Sequence, residues 1–155
     1  MAHEVKAFLW MIRWCEGTAN KNGYRTLFGG KHFDSFDDHP RHLVAFQLKG
    51  KEYKSSAAGA YQFLQGTWDS LVRMYGYKDF SPENQDRAAI ELIKGRKAYQ
   101  DILDGDIVTA IKKCNREWAS LPGSPYGQPV KSLDECLKIY GLVLGVLDGQ
   151  DRSSN

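Results

Sequence analysis

Val5-Lys6-Ala7-Phe8-Leu9-Trp10-Met11-Ile12-Arg13-Trp14-Cys15-Glu16-Gly17-Thr18 is the stretch that decides the fold. Val5, Phe8, Leu9 and Ile12 recur at the i, i+3, i+4, i+7 spacing of one helix face, and Glu16 falls one turn beyond Ile12 on that stripe. The spacing therefore directs a carboxyl group toward the core side. Gly17 can take a left-handed conformation and end the helix, which leaves Glu16 in the last turn, where unpaired carbonyls concentrate partial negative charge. That field disfavours an anion, and desolvation by the apolar neighbours acts in the same direction. A raised pKa is expected for Glu16, keeping it protonated nearer neutrality as a general acid requires. On this helix alone, the spacing also fits a glutamate turned outward at a frayed end.

The composition around this helix bounds the rest. With 155 residues, 42% hydrophobic and 12% aromatic, the chain can bury one sizeable core and is about the length of one domain. A net charge of +2, with no basic run and no aromatic-interleaved basic motif, predicts no nucleic-acid partner. Cys15, Cys114 and Cys136 each fall on the apolar face of a predicted helix and cannot all pair, so they read as buried thiols of a chain folded in a reducing cytoplasm. Lys6 and Arg13 interrupt the apolar run at the N-terminus, so neither a signal peptide nor a stable membrane insertion is expected.

Downstream, Thr18 to Pro40 carries Gly23, Gly29 and Gly30 among Tyr24, Phe28, Phe33 and Phe36 with no helical period, and reads as a small β region. Asp34, Asp37, Asp38 and His39 within it match no metal-ligand spacing and read as a solvated turn. Leu43 to Tyr53 reads as an edge strand running into a flexible polar loop. From Tyr61 onward, Leu64, Trp68, Leu71, Val72 and Tyr75 share a helix face that ends near Gly76. Ser81-Pro82-Glu83 opens a helix with Ala88, Ala89, Leu92 and Ile93 inward and Gly95 as its stop. A short helix burying Ala98, Tyr99, Ile102 and Leu103 follows, then one with Ile107, Ala110, Ile111, Cys114 and Trp118 on its stripe. Ser120 to Pro129 has the composition of a shaped binding loop or of an ordinary connector. Ser132 with Glu135 makes a capping box for a last helix burying Leu133, Cys136, Leu137 and Tyr140. The expected architecture is α+β: one catalytic domain over 1–147, mostly helical with a small β subdomain and a substrate cleft between them. Residues 148–155 are expected as a disordered tail.

Several chemistries find no support. His3, His32, His39 and His42 fall in predicted loops or near the terminus, and no Gly-x-Ser-x-Gly elbow, metalloprotease helix or cysteine zinc pattern is present. No metal and no cofactor is expected. A single acid at a helix end beside an aromatic-rich region suits cleavage of a glycosidic bond.

Four blocks then carry a resemblance: Ala7-Phe8-Leu9 with Trp14-Cys15-Glu16-Gly17-Thr18; Ser56-Ala57-Ala58-Gly59-Ala60-Tyr61-Gln62; Asp79-Phe80-Ser81-Pro82 with Gln85-Asp86; and Trp118-Ala119-Ser120-Leu121-Pro122-Gly123 with Tyr126-Gly127-Gln128. In order and spacing, from about Ala7 to Tyr140, they resemble the lambda-type endolysins of bacteriophages, lytic transglycosylases with a lysozyme-like fold. The resemblance implies that Glu16 is the single catalytic glutamate. It would protonate the glycosidic oxygen and then take the proton of the C6 hydroxyl of N-acetylmuramic acid, giving a 1,6-anhydro product. It implies a glycan-contacting wall at Gly59, Tyr61 and Gln62. Two lips, around 49–54 and 124–128, would close over the glycan, with Ser120, Tyr126 and Gln128 among the binding residues. The implied partner is the glycan strand of bacterial peptidoglycan. A monomer made in the host cytoplasm, and reaching the wall through a separate holin-type membrane protein, follows from the same resemblance and the absent signal. Arg25 stands where that family has an acid, Ala60 where it has an arginine, and the first lip is longer. Two alternatives stay open: a hydrolysing muramidase using Asp34, Asp37 or Asp38 as a second carboxylate, and an inactive peptidoglycan-binding module.

Overall fold

The computed structural model describes residues 1–153. The chain divides into two compact units, one of residues 1–15 with those from Ile90 onward, the other of Glu16–Ala89. The catalytic domain expected over 1–147 spans both.

In the first unit, α1 (His3–Glu16) buries Val5, Phe8, Leu9 and Ile12 as the spacing predicts, but also Ala7, Met11, Arg13 and Cys15. Burial reaches well around the helix, beyond a single stripe. Arg13 tolerates it because its guanidinium lies 4.7 Å from the centre of the Trp10 ring. The chain enters this unit again along α3 (Pro82–Gly95), then forms α4 (Tyr99–Leu103) and α5 (Ile107–Cys114). Ala98 and Ile102 are buried, but Leu103 is exposed, since a five-residue helix turns only one side inward. Asp106 caps α5 by accepting from the Thr109 amide at 3.3 Å. Ile107, Ala110, Ile111 and Cys114 line its inner face, while the buried Trp118 lies past the helix end.

The last helix, α6 (Leu133–Ser153), starts after Ser132, whose hydroxyl accepts from the Glu135 amide at 3.1 Å. Its continuation corrects the disordered tail expected from Asp148. The helix runs on to Ser153, with His3 ring nitrogens 2.8 Å from Asp148 and 3.1 Å from Asp151. A contact from the opposite chain end holds these turns, which no local pattern around Gly145 and Gly149 reveals. Residues 154–155 of the expected tail lie outside the described residues.

In the second unit the β structure lies later than expected. Thr18 to Pro40 contains a 3-10 turn, Gly23–Arg25, and isolated bridges pair Thr26 with His32 and Leu27 with Ala58. The ladder is instead the antiparallel hairpin of β1 (Val44–Leu48) and β2 (Lys51–Ser55), with Phe46 opposite Tyr53. β2 occupies the stretch read as a flexible loop. Lys51 to Lys54 are all exposed and so carry no alternation of apolar residues. Lys49 (φ 51) and Gly50 (φ 76) make the two-residue, positive-φ turn that suits strand twist. α2 (Gln65–Tyr75) begins after Tyr61 and buries Trp68 and Leu71, and Gly76 at φ 73 closes it. Leu64 and Tyr75, expected on the inner face, are exposed at its ends.

Phe33, Phe63, Trp68 and Phe80 form the aromatic core of this unit, Trp68 and Phe80 meeting edge to face at 4.7 Å. Asp34, Asp37 and Asp38 are exposed, as expected of a solvated turn. His39 is not: it is only 2% exposed. Its Nε2 donates to the Phe63 carbonyl at 2.8 Å while Nδ1 accepts from the Arg41 amide at 2.9 Å. Among the described residues no helix is long and apolar enough to cross a membrane.

Candidate active site

Glu16 is the last residue of α1 and is half-buried, and Gly17 leaves the helix at φ 79. The helix end therefore forms as its glycine predicts. Two residues on, the buried Thr18 donates its hydroxyl to the Ala60 carbonyl, tying the Glu16 segment to the Gly59–Gln62 turn.

That turn is held from every side. Gly59 sits at φ 85, and its amide donates to the Thr26 carbonyl at 2.9 Å. A Cβ added at Gly59 comes within 2.9 Å of Phe80 Cζ and closer still to the Gln85 side chain, so only glycine fits. Gln62, at φ 50, donates its amide nitrogen to the Gly59 carbonyl at 2.9 Å and to the Thr26 carbonyl at 3.1 Å. Tyr61 is 2% exposed.

Two adjacent residues of α3 complete the frame. Gln85 is fully buried; its Oε1 accepts from the Ala60 amide at 2.9 Å, and its Nε2 donates to the carbonyls of Tyr24 at 3.0 Å and Phe80 at 2.9 Å. Oδ1 of Asp86 accepts the hydroxyls of Tyr61 at 2.6 Å and Tyr24 at 2.9 Å. Gln85 thus fixes backbone while Asp86 fixes the two phenols that hang from it. Thr18, Tyr24, Gln85 and Asp86 have no site role in the reading of the sequence. Gln85 carried a signal, because it precedes Ala88 and Ala89 by three and four positions and so puts an amide on an apolar helix stripe.

Gly59, Tyr61 and Gln62 therefore belong to one connected network, to which Thr18 ties the chain two residues after Glu16. Arg25 serves the neighbouring loop: its Nε donates to the Phe33 carbonyl at 3.1 Å and Nη2 to the Asp34 carbonyl at 3.2 Å, and Nη2 is 4.0 Å from the Asp34 carboxylate. Asp38 and Asp69 both bind Arg41, whose guanidinium holds their carboxyls below the usual range. No group of three or more His, Cys, Asp or Glu side chains among the described residues is placed to hold a metal ion.

Ser120, Tyr126 and Gln128 lie in a loop of the first unit. The Ser120 carbonyl accepts from the Lys131 amide at 3.0 Å, and Asn115 donates to the Pro122 carbonyl at 3.2 Å. The Tyr126 hydroxyl donates to the Arg116 carbonyl at 2.7 Å, which leaves the ring half exposed, and Gln128 is half-buried. The loop is thus anchored at its base and presents an aromatic face.

A family profile described as Endolysin matches residues 6–147. The endolysin of Escherichia phage lambda is 46% identical over 132 residues, covering 81% of this chain and 82% of that protein. The endolysin of Escherichia phage P2 is 40% identical over 156 residues, covering 92% and 93%. Among solved structures, bacteriophage lambda lysozyme complexed with a chitohexasaccharide superposes with a TM-score of 0.86 at 40% identity, covering 92% of this chain and 95% of that one. A second structure of lysozyme from bacteriophage lambda gives 0.75 at 38% identity, covering 94% and 92%. The fold is α+β and lysozyme-like, and with a family match over nearly its whole length the chain belongs to the endolysins.

Proposed function

We propose that this endolysin is a lytic transglycosylase, cleaving the β-1,4 bond between N-acetylmuramic acid and N-acetylglucosamine in peptidoglycan with Glu16 as its one catalytic carboxyl group. As acid, Glu16 gives its proton to the glycosidic oxygen. As carboxylate, it takes the proton of the muramic C6 hydroxyl while that oxygen attacks the anomeric carbon. The product is a 1,6-anhydro end, and no water is consumed. The attacking oxygen belongs to the reacting sugar, so it is held near the anomeric carbon in a way that free water is not.

The observation that carries this reading is a contrast among carboxylates. Glu16 is half-buried at the end of α1, whereas Asp34, Asp37 and Asp38 are exposed and Asp38 is held by Arg41. A hydrolytic glycosidase sets two carboxyl groups across one sugar with environments that keep their protonation states apart. Gly59, Tyr61 and Gln62 supply the glycan wall, framed by Gln85 and Asp86, and Ser120, Tyr126 and Gln128 supply the second lip. The half-exposed Tyr126 ring offers a stacking face to a sugar. The chitohexasaccharide bound by lambda lysozyme supports a glycan strand as the ligand. We assign synthesis to the host cytoplasm, access to the wall through a separate holin-type membrane protein, and action as a monomer.

Digestion of purified peptidoglycan in oxygen-18 water tests the reaction. Unlabelled ends, each lighter by one water than a hydrolytic end, are expected by mass spectrometry. Labelled reducing ends would establish a muramidase instead, and no released sugars would leave only a binding module.

A further inference from the structure

Cys15, on the last turn of α1, and Cys136, on the first turn of α6, bring their sulfurs to 3.4 Å across 121 positions of sequence. No disulfide joins them, and both are buried. We propose that Cys15 and Cys136 are an oxidisable pair, a site where a disulfide forms within the folded enzyme and staples the helix turn that carries Glu16 to α6. The proposal goes beyond the reaction assigned above, and bond formation does not rest on it.

The geometry is close to what the bond needs. A disulfide has its sulfurs about 2.05 Å apart, so closure brings them together by little more than 1 Å, a displacement that small side-chain rotations supply. No group of three or more metal-type side chains gathers here or elsewhere among the described residues. The third thiol, Cys114, is a contrast within the same chain: burial pushes its pKa up to about 12, and its neighbours are the charges of Glu117 and Arg96.

Exposure sets the order of events. Cys15 is 6% exposed and Cys136 0%, so the thiolate of Cys15 meets the oxidant. It attacks a disulfide, from a small molecule or a thiol oxidoreductase, forming a mixed disulfide and releasing one thiol. Cys136 then attacks the Cys15 sulfur and releases the second thiol. The protein gives up two electrons and two protons, and the oxidant takes them. In the reduced pair the hydrogen bond from the Cys15 thiol holds Cys136 below the ordinary thiol pKa, a bias that ends once Cys15 enters the mixed disulfide. A reducing compartment keeps the pair open and an oxidising one closes it. Because the sulfurs already touch in the reduced fold, the oxidised enzyme keeps its activity and resists unfolding.

The test uses the full chain and oxidised glutathione. After oxidation, denaturation and alkylation with N-ethylmaleimide, the intact mass should show one adduct rather than the three that the reduced chain's cysteines give. Peptide mapping should link Cys15 to Cys136 and place the adduct on Cys114. The melting temperature should rise by about 5–15 °C, as expected for a long-loop disulfide in a chain of this size, and fall back on reduction. Activity should stay within about two-fold. Cys136→Ser and Cys15→Ser should each abolish the rise. Three adducts after oxidation, a persistent glutathione adduct, or an unchanged or lowered melting temperature would each overturn the proposal. Labelled reducing ends in the oxygen-18 digest would overturn the assigned reaction and leave this thiol count untouched.

Discussion

Replacing Gln85 by leucine keeps roughly the same volume and removes three hydrogen bonds, the buried ones to the Ala60 amide and the Phe80 carbonyl and the partly buried one to the Tyr24 carbonyl. Each bond contributes about 1–1.5 kcal/mol net, which puts the loss at about 3–5 kcal/mol. The upper end applies where the backbone groups left behind stay buried and find no new partner, as the full burial of Gln85 favours. For a chain of this size the melting temperature should fall by about 6–20 °C, read by calorimetry or circular dichroism. Gln85→Glu probes the same contacts differently. Its second oxygen faces two carbonyls where Nε2 donated to both, so the variant should be worse at pH 8 than at pH 5, where a protonated carboxyl restores one donor. Because Thr18 joins Ala60 to the Glu16 segment, both variants should also lose turnover well below their melting temperatures. A fall of under 2 °C for Gln85→Leu would refute the reasoning and show that the turn is held without it.

Glu16→Gln should abolish peptidoglycan clearing with an unchanged circular dichroism spectrum, since the amide keeps the shape but gives no proton; retention of more than a few per cent of activity would remove Glu16 from its role. Gly59→Ala should destabilise by about 2–4 kcal/mol in chemical denaturation, through strain at positive φ and the crowding by Phe80 and Gln85. Tyr126→Phe should raise KM more than it lowers kcat and cost about 1 kcal/mol, since it frees the loop from the Arg116 carbonyl but keeps the ring; a kcat effect alone would contradict the proposed binding role. Burial lowers the pKa of His39 from 6.5, so as pH falls below that value the unfolded chain takes up a proton that the folded chain does not. Stability should therefore fall from about pH 6.5 downward, and again below 3.8 as Asp38 and Asp69, held low by Arg41, protonate. Melting curves for the native chain and His39→Gln should differ in the first of these steps, and a flat native profile between pH 7 and 5 would show that His39 plays no such part.

The helices were legible because their ends are written locally. Gly17, Gly76, Ser81-Pro82, Asp106 and Ser132 mark boundaries that the structure reproduces within a residue or two. The hairpin was half legible. β1 alternates, but β2 exposes four of its five residues, so no apolar period distinguishes Lys51-Glu52-Tyr53-Lys54 from a solvated loop. Only the turn at Lys49-Gly50 carried a signal, and lysine is not a residue whose presence announces a positive φ. Where order depends on a remote partner, the local pattern misleads in either direction. Asp148 to Ser153 lacks a run of apolar residues and yet is helical beside His3, while Thr18 to Pro40 has aromatics and glycines suited to strands and yet forms turns.

The site divides along the same line. The proposed acid can be read from the sequence because it violates a local rule: Glu16 places a carboxyl on an apolar stripe at a helix end. Its supporting groups violate rules that only a fold makes visible. Asp86 is unremarkable until two phenols converge on one of its oxygens, and Thr18 is an ordinary post-helix residue until its hydroxyl reaches the Ala60 carbonyl. Gln85 stands between the two cases, an amide on a stripe shared with Ala88 and Ala89, and it satisfies three backbone groups that no secondary structure pairs. A turn with positive φ at both Gly59 and Gln62 cannot satisfy all its own backbone groups, so it depends on side chains brought from α3. Through Thr18, that dependence links the Gln85-Asp86 motif to the segment that carries Glu16, and it explains why a pair with no proposed reactive role should still be needed for turnover.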